Sequence, residues 1–134
     1  MRGINIKFPI NDDTVGGGLL KLNKTTKDAL TSNLLLLLLT ERGERYYMPN
    51  YGTNLLKYIF EPSDDITVND IRDDLDESVS KYIPNLRITN VSFDWFDKKN
   101  NQNINEGTEQ LNLKIDFVYN EDAFSETGEI EITF

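Results

Sequence analysis

The chain reads as an α+β domain, with three helices packed on one face of a small antiparallel β-sheet. Two observations lead there. Apolar residues recur at helical spacing between Thr25 and Tyr82, interrupted by Gly43, Pro49, Gly52 and Pro62; beyond Pro84 they switch to strict alternation. Strands that follow helices, with no internal repeat, belong to the α+β class. At 134 residues one domain is large enough to bury roughly two thirds of its unfolded surface. We therefore expect a single domain over 1–134, divided into an N-terminal arm (1–24), a helical part (25–83) and a β part (84–134).

In the arm, Ile4, Ile6 and Phe8 alternate with polar groups ahead of Pro9, which predicts a short strand and offers the sheet a fourth member. Asn11-Asp12-Asp13 and Gly16-Gly17-Gly18 then punctuate a loop. Two readings stand side by side: an ordinary edge strand with its loop, or an arm that docks on a neighbour.

Thr25 or Thr26 starts the first helix, with Asp28 in its first turn offsetting the helix dipole. It runs through Ala29, Leu30 and six consecutive leucines, Leu34 to Leu39, to Thr40. Six leucines cover nearly the whole circumference, and so small a domain can hardly surround them, so partial exposure is expected. Gly43 is placed to end this helix in the left-handed conformation. Pro49 fixes its own φ and pushes Met48 towards an extended backbone. Asn50-Tyr51-Gly52 reads as a turn needing positive φ at Gly52, after which Thr53 or Asn54 caps a short helix carrying Leu55, Leu56, Ile59 and Phe60.

Ser63-Asp64-Asp65 reads as a loop, and Thr67 with Asp70 as a capping box with Asp in place of Glu. The third helix then extends to about Tyr82, with Val68, Ile71, Leu75, Val79 and Tyr82 as its apolar stripe. Asp70, Asp73, Asp74, Asp76 and Glu77 read as its solvated face. Pro84-Asn85 ends it.

Leu86 and Ile88 lie on one parity and Val91, Phe93 and Trp95 on the other, so a bulge near Thr89 or Asn90 is needed to keep both sets inward. Leu111 to Tyr119 and Ile130 to Phe134 alternate as half-buried antiparallel strands. The polar stretch between the first two strands, with Asn101, Asn103, Asn105 and Glu106, does not meet the spacing of an EF-hand calcium loop and reads as a hairpin tip.

Composition removes several function classes. With no cysteine and no histidine, there is no disulfide scaffold, no thiolate metal site and no Ser-His or Cys-His triad. The net charge of −9 argues against nucleic acid, which demands a basic footprint. Charge is unevenly spread: residues 1–60 carry 8 basic and 5 acidic groups, residues 61–134 carry 6 and 18. Solubility alone, or different partners at the two ends, would each produce that polarity. No signal peptide is expected from M-R-G-I-N-I-K-F-P, and six leucines fall far short of the ~20 apolar residues of a membrane span.

The connection from Thr40 to Glu61 carries a recognisable pattern. Gly43, Glu44, Arg45, Pro49, Tyr51, Gly52, Leu55, Ile59, Phe60 and Glu61 resemble the baseplate wedge, or sheath-initiator, family of contractile-tailed phages. That family is sometimes labelled lysozyme-like and has relatives in type VI secretion and other contractile injection machines. The resemblance implies a virion or injection-machine part made in the cytoplasm of a bacterial host. Its partners would be other baseplate wedge proteins and the tail sheath protein, with the tail tube nearby and six copies per baseplate. It also implies that sheath subunits add to it by β-strand exchange. Family members often carry Glu-Pro-Arg after the third helix, where this chain has Ile83-Pro84-Asn85; Arg87 is the nearest candidate replacement.

Two hypotheses follow: a structural assembly protein, or a peptidoglycan-cleaving enzyme. A glycosidase needs two carboxylates about 5–9.5 Å apart, one in an apolar cleft. Glu41, Glu44 and Glu61 are the only acids in the distinctive segment, and Glu44 sits beside Arg45, so we expect no catalytic residue, no cofactor and no metal. The candidate partner-docking residues are Arg42, Arg45, Tyr47, Pro49, Tyr51, Gly52, Phe60, Pro84 and Arg87, of types that include those enriched at binding hot spots. The candidate strand-pairing residues are Glu129, Glu131 and Thr133, which face outward on a terminal strand expected to present a free edge.

Overall fold

A computed structural model describes residues 4–11, 20–58, 65–96, 110–121 and 124–133. Expectations resting on Gly16 to Gly18, on Ile59, Phe60 and Glu61, on the stretch around Asn101 to Glu106 and on Phe134 fall outside the described residues.

The N-terminal strand β1 (Asn5–Ile6) pairs antiparallel with β2 (Leu22–Asn23). The pair forms its own two-stranded ribbon, so among the described residues β1 does not supply a fourth strand to the main sheet. Side-chain amides hold the ribbon elsewhere. Asn23 Nδ2 donates to Asn5 Oδ1 at 2.7 Å and to Ser32 Oγ at 2.9 Å, fastening the ribbon to the first helix.

Helix α1 (Thr26–Leu39) starts at Thr25, whose Oγ1 accepts the Asp28 N–H at 3.1 Å. Leu34, Leu37 and Leu38 are fully buried, and Leu35, Leu36 and Leu39 are half-buried. The leucine run is thus partly exposed, as its all-round apolarity in a small domain predicts. The helix stops at Thr40, which turns extended (φ −91°) while its hydroxyl donates to the Leu36 carbonyl at 2.6 Å. Gly43 does adopt positive φ (+92°), but beyond that stop. It closes the connection rather than the helix, through its N–H to the Pro49 carbonyl at 2.7 Å.

Helix α2 (Leu55–Tyr58) begins after Asn54, with Thr53 Oγ1 accepting the Leu55 N–H at 3.4 Å. Helix α3 (Asp65–Tyr82) starts two residues before Thr67. Thr67 therefore lies buried in the first turn and does not begin a capping box. Ile71, Leu75 and Val79 are buried, with Val68 and Tyr82 half-buried beside them, which is the expected stripe.

Strands β3 (Leu86–Phe96), β4 (Gln110–Glu121) and β5 (Phe124–Thr133) form an antiparallel sheet in the order β3-β4-β5. The register slips between Ile88 and Asn90. That is the bulge required by the change of parity, and it leaves both Leu86 and Val91 buried. Leu113, Ile115, Phe117, Tyr119, Ile130 and Ile132 line the inner face and join α1, α2 and α3 in one core. Opposite Phe117 on β5 stands Gly128, where a Cβ would come within 2.4 Å of the phenyl ring. The ring fills the space that a side chain at 128 would need. No described helix is long and apolar enough to cross a membrane.

Candidate functional site

The connection between α1 and α2 is built by local backbone bonds and then pinned to α3. Its two ends run side by side: Thr53 N–H donates to the Thr40 carbonyl at 2.9 Å and Arg42 N–H to the Thr53 carbonyl at 3.3 Å. Thr53 Oγ1 donates to the Leu38 carbonyl at 3.0 Å, satisfying an acceptor left over at the helix end. Gly52 has φ +118°, as its place after Tyr51 predicts. Here the requirement is double, because an added Cβ would stand 2.3 Å from the Thr40 carbonyl oxygen.

Asp74 of α3 is the pin. Its carboxylate is 8% exposed and lies 2.7 Å from Arg42 Nη2, while its other oxygen accepts the Asn54 N–H at 2.8 Å. Arg42 Nη2 also donates to Ser78 Oγ at 2.9 Å, and that hydroxyl donates to the Gly52 carbonyl at 3.1 Å. Asp74 is therefore not part of the solvated acidic face expected from sequence. It lies one residue before Leu75 and three after Ile71, on the buried side of the helix. Asp74 and Ser78 were legible in principle, since both sit at stripe positions three and seven residues beyond Ile71.

Outside this pinned base the connection presents aromatics and cations. Arg45 lies over the Tyr51 ring at 4.1 Å, Tyr51 meets Tyr82 edge-on at 5.0 Å, and Lys81 lies 5.4 Å from the Tyr82 ring. This row of cation, ring, ring and cation joins the connection to the last turn of α3. Burial raises the Tyr51 phenol above its ordinary pKa, opposed by the Arg45 charge and reinforced by Tyr82. Tyr46 and Tyr47 pack edge to face at 5.2 Å, yet they are 90% and 92% exposed.

The candidate docking residues thus separate into groups. Arg42 and Gly52 belong to the internal pin. Arg45 and Tyr51 form the half-buried row, and Tyr47 and Pro49 are exposed at the tip of the connection. Pro84 and Arg87 are exposed where α3 passes into β3, two and five residues beyond Tyr82, while Ile83 is buried in the core. Phe60 lies outside the described residues. Glu129, Glu131 and Thr133 are exposed on β5, and Glu129 pairs with Lys114 at 3.1 Å, a contact that raises the lysine's pKa.

Glu41 and Glu44, the two described acids of the connection, are engaged in turn chemistry. Glu44 accepts the Glu41 N–H at 3.1 Å and returns its own N–H to the Glu41 carbonyl at 3.1 Å; Glu41 also pairs with Lys57 at 3.5 Å. A groove of about 330 Å³ is lined by Lys27, Thr89, Asp116, Phe117, Thr127, Gly128 and Glu129. Its Glu129 is 73% exposed and salt-bridged, unlike the enclosed acid that glycoside cleavage needs.

Fold and site together give an α+β domain with a pinned, tyrosine-bearing connection and, among the described residues, β5 as an outer strand of its sheet. The chain belongs to the baseplate wedge protein gp25 family, whose model matches residues 24–122. It is therefore a component of a contractile-tail baseplate and associates with other baseplate components. Among solved structures, the fold is shared with a Geobacter sulfurreducens protein described as a candidate tail lysozyme. That match has 14% identity and a TM-score of 0.59, over 84% of this chain and 94% of that one. It is also shared with a chain of the anti-feeding prophage baseplate, at 24% identity and a TM-score of 0.57, over 79% of this chain and 81% of that one. Among curated protein sequences nothing matches the chain.

Proposed function

We propose that this protein is a structural wedge subunit that templates the first sheath ring by strand pairing along the free edge of β5, six copies serving one baseplate. The observation that supports this is the position of β5 at the outside of the sheet, with Glu129, Glu131 and Thr133 exposed along it. Backbone groups on such an edge bond to water or to another chain. A copy of the same edge would bring like charges together, whereas a basic or mixed strand would not, so the charge selects the partner. The exposed connection, with Tyr47, Pro49 and the Arg45–Tyr51 row, and the Pro84–Arg87 corner are the surfaces for docking on other wedge proteins. Phage tails and secretion-type machines both accommodate this role.

The test is Glu129→Lys with Glu131→Lys. Neither residue is in the core, so the variant should fold; it also loses the Lys114 pair, a solvent-exposed contact that water and salt screen. It should enter the baseplate and fail to seed sheath. Normal sheath nucleation by this variant would remove β5 as the template.

The same reading makes the protein a non-enzyme. Purified protein should leave peptidoglycan intact at every pH from about 4 to 8, the window of plausible carboxyl ionisation. Clearing that disappears in Glu44→Gln or Glu61→Gln would establish the hydrolase instead.

A further inference from the structure

The backbone of the sheet fixes which groups of β5 are free. The Asn120 N–H donates to the Asn85 carbonyl at 3.1 Å, and the Asp116 carbonyl accepts from Thr89 Oγ1 at 2.9 Å. The even-numbered residues of β4 therefore turn their backbone groups towards β3 and, by alternation, the odd-numbered ones towards β5. Leu113, Ile115, Phe117 and Tyr119 stand opposite Ile132, Ile130, Gly128 and Glu126. Those four residues of β5 bond inward, so Thr127, Glu129, Glu131 and Thr133 turn their N–H and C=O groups to the open side. On β3 the same parity turns the Val91 carbonyl outward, and there Arg72 Nη2 of α3 already donates to it at 3.0 Å. The helix thus guards the β3 edge, and β5 is the better acceptor of a further strand.

The side chains beside the free groups of β5 are short of positive charge. Asp116 and Glu129 are direct cross-strand partners, in a pair without backbone hydrogen bonds, where Cα atoms stand only about 4.5 Å apart. Like charges so placed destabilise a sheet. Glu131 lies on the same face, one pleat along from Glu129 and opposite Lys114. Lys114 reaches Glu129 at 3.1 Å, and Asn90 Nδ2 gives Asp116 a long bond of 3.4 Å. The bond to Glu129 and the charges of Glu129, Asp116 and Glu131 together raise the lysine's pKa, so one ammonium serves three carboxylates. Among the described residues Lys27, which borders a groove with Asp116 and Glu129, forms no ion pair.

We propose that the strand received by β5 carries two basic residues two positions apart, standing opposite Glu129 and Glu131, with an apolar residue between them. The free backbone groups and the acidic side chains belong to the same residues, so a strand that bonds to the first also sets its side chains against the second. Its intervening residue turns to the other face, beside Ile130, which is 5% exposed and apolar. This inference rests on the reading of β5 as the strand acceptor and specifies the pattern of its partner.

Amide hydrogen exchange tests the backbone half. In the purified protein the amides of Thr127, Glu129 and Glu131 should exchange about tenfold or more faster than those of Gly128, Ile130 and Ile132. In contractile particles purified from producing cells the first three should become protected. Equal protection along β5 in the free protein, or unchanged fast exchange in the particles, would overturn the proposal. Asp116→Lys tests the charge half. It replaces two opposed like charges by a pair, so Tm should stay at or above the wild-type value. The new cation also takes up Glu129 and repels a basic strand, so sheath seeding should fall by about tenfold. Normal seeding, or a fall in Tm that accompanies lost seeding, would show that the acids of this face do not select a basic partner. The two readings fail separately. If Glu129→Lys with Glu131→Lys seeds sheath normally, β5 is not the template and this inference falls with it. If that variant fails while Asp116→Lys seeds normally, β5 stands as the template and only the basic pattern is lost.

Discussion

Replacing Gly52 by valine should cost about 3 kcal/mol or more, and lower Tm by on the order of 10 °C. Two effects add at this position. The residue holds φ +118°, where a β-branched side chain is strained by about 1–3 kcal/mol. The new Cβ would also stand 2.3 Å from the Thr40 carbonyl oxygen, which belongs to the backbone and cannot rotate away. Relief of that clash separates Thr40 from Gly52 and strains the Thr53 N–H bond to the same oxygen, now 2.9 Å long. Gly43 supplies the internal comparison: its φ is +92°, but a Cβ there meets nothing within 4 Å. Gly43→Ala should therefore cost only about 1 kcal/mol, from backbone strain alone. Thermal melts of the two variants separate strain from collision. A valine variant that melts within about 2 °C of wild type would mean that the connection is free to move off α1.

Asp74→Ala should be nearly as damaging, at about 3 kcal/mol in chemical denaturation. The substitution strands Arg42 beside α3 and leaves the Asn54 N–H without its acceptor. Breaking a buried ion pair commonly costs about 3–5 kcal/mol. The lower end applies because the Arg42 side chain is 30% exposed, so water screens its charge. Asp74→Asn keeps an acceptor for Asn54 and should lose about half as much. The sharper consequence is functional. With the pin gone, Tyr46 and Tyr47 no longer project from a fixed base, so incorporation into the baseplate should fall further than stability alone accounts for. An Asp74→Ala protein within about 0.5 kcal/mol of wild type would show that the Arg42–Asp74 contact carries no net stability.

Local and periodic features of the chain were legible without coordinates. The start of α1 at Thr25, the end of α3 at Tyr82, the slip between Ile88 and Asn90 and the positive φ of Gly52 each depend on a few neighbouring residues. The stiffness of the connection around Gly43 to Gly52 was legible for the same reason, because Gly43, Pro49 and Gly52 each restrict the backbone locally. One boundary and one role differ from expectation. α1 ends at Thr40 as expected, but with the Thr40 hydroxyl returned to Leu36 and Gly43 lying beyond the stop, and α3 begins at Asp65 ahead of Thr67.

What the sequence by itself determined is the α+β class, the order of the elements, the inward faces of helices and strands, and the absence of histidine and cysteine chemistry. Those follow from periodicity and composition, which act over one or two turns of chain. Only the tertiary structure decided which polar groups leave the surface. Arg42 finds Ser78 across 36 residues, Asn54 finds Asp74 across 20, and the N-terminal strand turns its amides towards α1 instead of joining the sheet. A charged or amide side chain carries no mark of its partner in its own stretch of sequence. Whether it is solvated or buried depends on what a distant element brings within hydrogen-bonding distance, because burial without that partner costs more than the fold can sustain.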